Sequence, residues 1–308
     1  MAGHAHENAY KFIADVRHGL NEYSAALWAG SDTSGKFSNS YILDKLNAAQ
    51  ARIYALVMKS DVREIFYESA SVTVTSSVIT LPWDYGKILQ LEDADGYKVW
   101  PSTARITPVT GEEGSDNLYY RDGNTLVLNK TGVSDTYTLK YFKKPRKMAY
   151  GAAAATSGLN SLLLAATVDT VLRDDYYNNL IFDNYTQGKY ATVSDFVAST
   201  RTATTGTSPG AVTWAENDVY GSVPDMPEEF HNLIAPLTII IIKAEHPAAQ
   251  ERPNQAEISM WSEALMEVMA AFANQPDDIP IESIFCDLAG FGGMTGISVP
   301  GQGYLIYD

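Results

Sequence analysis

The chain has 308 residues, with 37 acidic against 22 basic side chains and a formal charge of −15. That balance argues against nonspecific grip on nucleic-acid phosphates, which requires Lys and Arg to displace counterions. The single cysteine, Cys286, rules out a disulfide framework or a Cys-rich zinc site, and an apolar fraction of 45% rules out disorder throughout.

In chain order, residues 8–28 predict an amphipathic helix, with Ala9, Ile13, Val16, Leu20, Tyr23 and Leu27 at alternating steps of four and three. A polar stretch, Gly30 to Ser40, follows and offers Ser38 or Ser40 as an N-cap. A second helix carries Ile42, Leu46, Ala49, Ile53 and Leu56 on one face. At Ser71 the period changes to that of a strand, and short alternating runs continue to Phe142. Asp95-Gly96, Gly111, Asp122-Gly123 and Thr131-Gly132 punctuate them as turns. This predicts an antiparallel β unit ending at the basic stretch Lys143-Lys-Pro-Arg-Lys147, which reads as a solvated rim or an intersubunit patch.

Ala149 to Gly158 reads as a low-complexity linker, and Leu162 to about Gly206 as a second β-rich stretch. Asp225-Met-Pro-Glu228 has the form of a helix start, with a capping Asp and an early Pro. Phe230, Leu233, Ile234, Leu237 and Ile241 continue at helical spacing, but Pro236 is expected to kink or break that helix, and the run Ile239 to Ile242 could even be a strand. A final helix carries Ile258, Trp261, Leu265, Val268 and Phe272 and stops at Pro276, before an acidic, Gly-rich tail. The apolar run Leu233 to Ile242 is about half of the ~20 residues a spanning helix needs, so no membrane span is expected. Nor is a signal peptide, because no basic region followed by an apolar stretch opens the sequence.

Catalytic and metal-binding patterns are weak. His4 and His6 form an HxH without a completing carboxylate or Cys, and His231 reads as a surface or cap residue. Gly206-Thr-Ser-Pro-Gly210 matches a nucleophile elbow only formally, because Pro209 follows the serine and no apolar strand precedes it. The glycines of Gly290 to Gly296 follow no strand, which argues against a dinucleotide site. Asp174, Asp175, Asp183 and Asp195 offer carboxylates for calcium or glycoside chemistry, but turn positions explain them more simply. No catalytic residue, metal or cofactor is expected. The charge is uneven: residues 225–308 hold 13 acidic and two basic side chains.

The order of segments resembles the head-to-tail adaptor (connector) proteins of tailed bacteriophages and related gene transfer agents. The match runs through the helix Tyr41-Ile-Leu-Asp-Lys-Leu-Asn-Ala-Ala-Gln50-Ala-Arg-Ile-Tyr54, the strand leading to Ile79-Thr-Leu-Pro-Trp-Asp84, and Ile88-Leu-Gln-Leu91. It continues through the hairpin Tyr119 to Leu128, the exit strand Leu139 to Pro145, and Met226-Pro-Glu-Glu-Phe-His231 at a helix start. Asp174 to Leu180 and Thr192 to Thr204 are similar to a small β module that recurs in phage virion proteins.

The resemblance implies an α+β fold. Residues 1–70 would hold the N-terminal helices of a helical bundle, 71–148 the antiparallel β unit, and 149–224 a linker and inserted β module. Residues 225–275 would hold the C-terminal helices, and 276–308 an extended arm. It implies a non-enzymatic virion protein of the neck, assembled in the host cytoplasm. Its copies would form a closed homo-oligomeric ring, commonly of about twelve, between the portal protein and the tail or neck proteins. DNA would pass through without specific binding, and no membrane would be involved. Ile281, Ile284, Phe285, Phe291, Ile297, Val299, Tyr304 and Ile306 would belong to the portal-binding arm. The acidic C-terminal quarter then suits a channel wall, with Glu228, Glu229, Glu245, Glu257, Glu263 and Glu267 as its candidate lining. The alternatives are a carbohydrate- or host-binding virion module using residues 159–224, and a hydrolase using the Asp cluster.

Overall fold

The computed structural model describes residues 6–22, 36–102, 117–130, 132–155, 157–166, 170–206, 210–246 and 252–272. The chain divides into one unit of Met1–Lys11 with Arg63–His231 and a second of Phe12–Val62 with Asn232–Asp308. Described residues hold four α-helices and thirteen strands, so strands rather than a helical bundle dominate this α+β chain.

A 3-10 turn, Asp61–Phe66, leads into β1 (Tyr67–Thr75) of the first unit, four residues earlier than the change of period suggests. Then come β2 (Val78–Thr80), β3 (Tyr85–Glu92), β4 (Lys98–Pro101), β5 (Leu118–Asp122), β6 (Thr125–Leu128) and β7 (Thr136–Lys143). They form a closed barrel in the order β1-β2-β6-β5-β4-β3-β7. The seam between β1 and β7 runs from Tyr67 opposite Phe142 to Thr73 opposite Thr136. Register shifts in β3, between Tyr85 and Lys87 and between Ile88 and Gln90, supply the bend that closure needs. Gly96, Gly123 and Gly132 have φ of 84°, 59° and 73°, as the turn signals require.

The unit is not wholly antiparallel as expected. Strands β4 and β5 pair in parallel, Trp100 opposite Leu118. A parallel pair needs a connection of about a dozen residues or more, and 16 residues separate Pro101 from Leu118. Inside, Val72, Val74, Ile79, Leu91, Leu126, Leu128 and Leu139 are buried, and in β1 exposed Ser71, Thr73 and Thr75 alternate with them.

The second β region has six strands: β8 (Tyr150–Ala152), β9 (Ser161–Leu163), β10 (Ile181–Asn184), β11 (Lys189–Val197), β12 (Thr202–Thr205) and β13 (Val219–Ser222). Their order is β8-β13-β10-β11-β12-β9, all antiparallel. Here the expected linker is corrected, because Tyr150 to Ala152 forms an edge strand. Its small residues serve close packing: a Cβ on Gly151 would lie 2.7 Å from the Tyr220 hydroxyl and 3.1 Å from the Ala165 methyl. The buried core of this sheet runs from Ala149 to Tyr220, with Trp83 packed against it.

The four helices are α1 (Ala9–Gly19), α2 (Asn39–Val57), α3 (His231–Glu245) and α4 (Gln255–Phe272). The first ends at Gly19 rather than Trp28. Asn21 takes a φ of 60°, and the Arg17 carbonyl accepts from the Glu22 N–H at 2.9 Å, which closes the last turn. Tyr23 and Leu27 lie outside the described residues. Ser38 caps α2, its hydroxyl accepting from the Tyr41 N–H at 3.0 Å, and the predicted face from Ile42 to Leu56 is buried.

Strand formation at Ile239–Ile242 is also corrected. Helix α3 runs through Pro236 to Glu245, and Leu233, Ile234, Leu237, Ile240, Ile241 and Ile242 are all buried along it. Burial on several sides outweighs the one hydrogen bond that proline removes. Asp225 caps no helix; a 3-10 turn at Glu228–Phe230 precedes α3 instead.

Candidate functional site

Within the first unit, Arg146 of the basic stretch at the end of β7 acts as a clasp, while Lys144 and Lys147 are exposed. Arg146 donates through Nε to Asp225 Oδ2 at 2.7 Å and through Nη1 to the Asn178 carbonyl. Both side chains of the ion pair are 12% exposed. The Lys147 N–H donates to the Tyr176 hydroxyl at 2.8 Å, and Trp83 packs against Tyr176 with ring centres 4.7 Å apart. Lys143 faces Glu68 at 3.6 Å. Asp225, read from sequence as a helix cap, is thus the counter-ion that ties the barrel exit to the segment after the open sheet. Beside the pair lies a cleft of about 300 Å³, lined by Lys143, Asn179, Asp225 and Met226.

The aspartates of the candidate cluster do not act together. Asp174 accepts from the Ala198 N–H at 2.7 Å; Asp175 has a left-handed φ of 62° and accepts from Asn178 Nδ2 at 2.7 Å. Asp183 is buried and accepts from Asn8 Nδ2 at 2.8 Å, while Asp195 sits exposed at the register shift of β11. Among the described residues no group of three His, Cys, Asp or Glu side chains is placed to hold a metal ion. His6 lies edge-on to Tyr190, and His4 is outside the described residues. His231 is buried rather than superficial; its Nε2 lies 3.0 Å from the Met226 carbonyl, and burial holds its pKa below the usual value.

The candidate channel carboxylates fall into two sets. Glu228, Glu229, Glu263 and Glu267 are exposed. Glu245 pairs with Lys45 and Glu257 with Lys243, each at 2.6 Å. Glu245 raises the Lys45 pKa by its hydrogen bond. Burial disfavours a charged Glu257, but Lys243 and the Asn254 backbone N–H outweigh it and hold its carboxyl below the usual range. The arm residues Ile281, Ile284, Phe285, Phe291, Ile297, Val299, Tyr304 and Ile306 lie outside the described residues.

Three polar devices escaped the sequence reading. Arg17, fully buried, donates to Glu22 Oε2 at 2.7 Å and through Nε to Asn39 Oδ1 at 3.0 Å. Asn254 and Glu257 cap α4 reciprocally: the Glu257 N–H donates to Asn254 Oδ1 at 2.8 Å and the Asn254 N–H to Glu257 Oε2 at 3.1 Å. The spacing Asn254-x-x-Glu257 was the available signal. Asp218 Oδ2 accepts from Asn184 Nδ2 and the Ala215 N–H, each at 2.8 Å, and fixes the loop that carries buried Trp214.

The described residues thus form a closed barrel and an open six-stranded sheet, with buried and half-buried ion pairs and hydrogen bonds used within them. The family model described as SU10 adaptor protein matches residues 8–213, two thirds of the chain, and the chain belongs to that family. The match takes in the whole barrel and five of the six strands of the open sheet. No individual curated protein matches the chain. No described helix is long and apolar enough to cross a membrane.

Proposed function

We propose that the chain is a non-catalytic subunit of the virion neck, whose copies close into a ring, commonly of about twelve, that joins the portal protein to the tail and encloses the DNA path. The observation that carries this reading is the adaptor-family match over residues 8–213. The ring assembles in the host cytoplasm and is held without cofactors. Its extended arm, residues 276–308, meets the portal through Ile281, Ile284, Phe285 and the apolar residues beyond them. The module at 149–224 is an insert in the adaptor core.

The charge supports a channel that DNA slides through. Of the formal −15, residues 225–308 contribute −11, from 13 acidic and two basic side chains. A negative wall offers phosphates no counter-ion, so the duplex has nothing to grip. Glu228, Glu229, Glu263 and Glu267, four of these thirteen carboxylates, are exposed and contribute to this field. Lys45 and Lys243 neutralise Glu245 and Glu257.

The test is negative-stain imaging of the purified chain mixed with portal rings. Rings of the chain stacked coaxially on the portal are the expected result; free subunits beside bare portals would refute it. The second reading, a carbohydrate- or host-binding module using residues 159–224, is favoured by one observation: the buried residues of that sheet's core all lie between Ala149 and Tyr220. Trimers that bind cells and ignore the portal would select that reading.

A further inference from the structure

In the unit of Phe12–Val62 with Asn232–Asp308, α3 and α4 border an open groove of about 470 Å³. Leu233, Pro236, Ile239 and Ile240 line one side, and Met260 and Trp261 the other. Met260 is 70% exposed, although it borders an apolar surface. The Trp261 indole N–H already donates to the Leu233 carbonyl at 2.9 Å, and Lys243 at the rim is paired with Glu257. The groove therefore offers a partner mainly apolar contact. Its volume is that of a typical binding cleft.

The chain itself supplies a segment of matching chemistry. Beyond Phe272 it continues for 36 residues. Within them Ile281, Ile284, Phe285 and Leu288 fall at i, i+3, i+4 and i+7, with Glu282, Ser283 and Asp287 between. That is the anchor spacing of a segment that lays one apolar face into a groove. Eight residues, 273–280, separate it from the end of α4. Extended, they reach about 26–29 Å. The helix rises only about 18 Å from Met260 to Phe272. The segment thus returns to the groove without unwinding α4. A tether of this length also holds it at roughly millimolar effective concentration, which a second copy matches only in concentrated protein.

We propose that residues 281–288 of the same chain cover the α3–α4 groove in the free subunit. This goes beyond the ring reading and does not depend on it. Covering the groove keeps two complementary apolar surfaces out of water before any partner is met.

Cys286 lies inside the segment and is the chain's one cysteine, so it serves as the probe. In full-length protein carrying Met260→Cys, mild oxidation with oxidised glutathione should form an intramolecular disulfide in most molecules. The rate should not depend on protein concentration, because both thiols belong to one chain, and the bond requires their Cα atoms to come within about 4.4–6.8 Å. Tyr97→Cys, at an equally exposed turn of the barrel, should cross-link at least about tenfold more slowly. Adding Ile284→Asp and Phe285→Asp to Met260→Cys should slow cross-linking by about tenfold, with the far-UV spectrum unchanged. Equal rates for the Met260 and Tyr97 variants would overturn the proposal. So would concentration-dependent dimers, which would assign the groove to a second copy. No portal is present, so the outcome does not bear on the ring reading.

Discussion

The barrel and the six-stranded sheet meet the same demand, burying one face of each strand, by different means. Of the twelve buried residues in the barrel cluster, all but Leu81 lie on strands. In the sheet cluster of fifteen, eight lie off the strands, among them Tyr176, Tyr177 and Trp214. A sheet closed on itself fills its interior from its own inward positions. An open sheet with one face to cover needs a lid, and here loops supply it with aromatic rings. Tyr177 meets Tyr176, Phe182 and Phe196 edge-on, at ring separations of 5.0, 5.6 and 4.8 Å. The sheet also keeps two edges, and its terminal strands β8 and β9 are only three residues long, which limits pairing with other chains.

The sharpest way to break this comparison is to remove the lid. Tyr177→Ala deletes a fully buried ring whose hydroxyl accepts from the Val171 N–H at 2.9 Å. It should cost about 3–5 kcal/mol in urea unfolding. A loss under about 1 kcal/mol would mean that the loops do not carry this core. Next in size is Gly151→Ala, whose methyl would press on buried Tyr220. The expected loss is about 1–3 kcal/mol, and an unchanged urea midpoint would return this stretch to a plain linker. In the barrel, where the core is spread evenly over many aliphatic residues, Ile79→Val should cost only about 0.5–1.5 kcal/mol. A loss as large as that of Tyr177→Ala would erase the distinction.

These differences explain what could be read in advance. The barrel strands were visible because Val72, Val74, Leu126 and Leu128 alternate with polar neighbours. The sheet's lid was not, because Tyr176, Tyr177 and Trp214 sit in turn-rich sequence with no period of their own. Likewise α2 was legible from its apolar face and its Ser38 cap. The continuity of α3 was not, because proline's local penalty was weighed without the burial that opposes it. The clasp of Arg146 on Asp225 joins residues 79 positions apart, and no local spacing announces such a pair. Glu245 and Glu257 were legible as acidic, but not as the partners of Lys45 and Lys243.

The smallest expected effect concerns the residue that ends the unit containing both β regions. Burial lowers the His231 pKa, so as pH falls the unfolded chain takes up the proton before the folded one does. This contribution to stability is complete above the unfolded value of about 6.5 and declines as the pH drops below it toward the depressed folded value. Urea midpoints taken from about pH 7.5 down to about pH 5.5 should fall less steeply for His231→Gln than for the parent chain. Parallel profiles would show that the buried imidazole contributes nothing to the acid response.

The strands that open and close each β region have a mechanical consequence. Tyr67 at the start of β1 lies opposite Phe142 near the end of β7, and Gly151 of β8 lies opposite Tyr220 of β13. In both regions the chain enters and leaves side by side. Tension applied through the flanking chain would therefore peel these seams rung by rung, as a zipper opens, rather than shear all their hydrogen bonds at once. The same geometry makes each region a cassette: it can be lengthened, exchanged or lost in evolution while the two ends that carried it stay close enough to be rejoined.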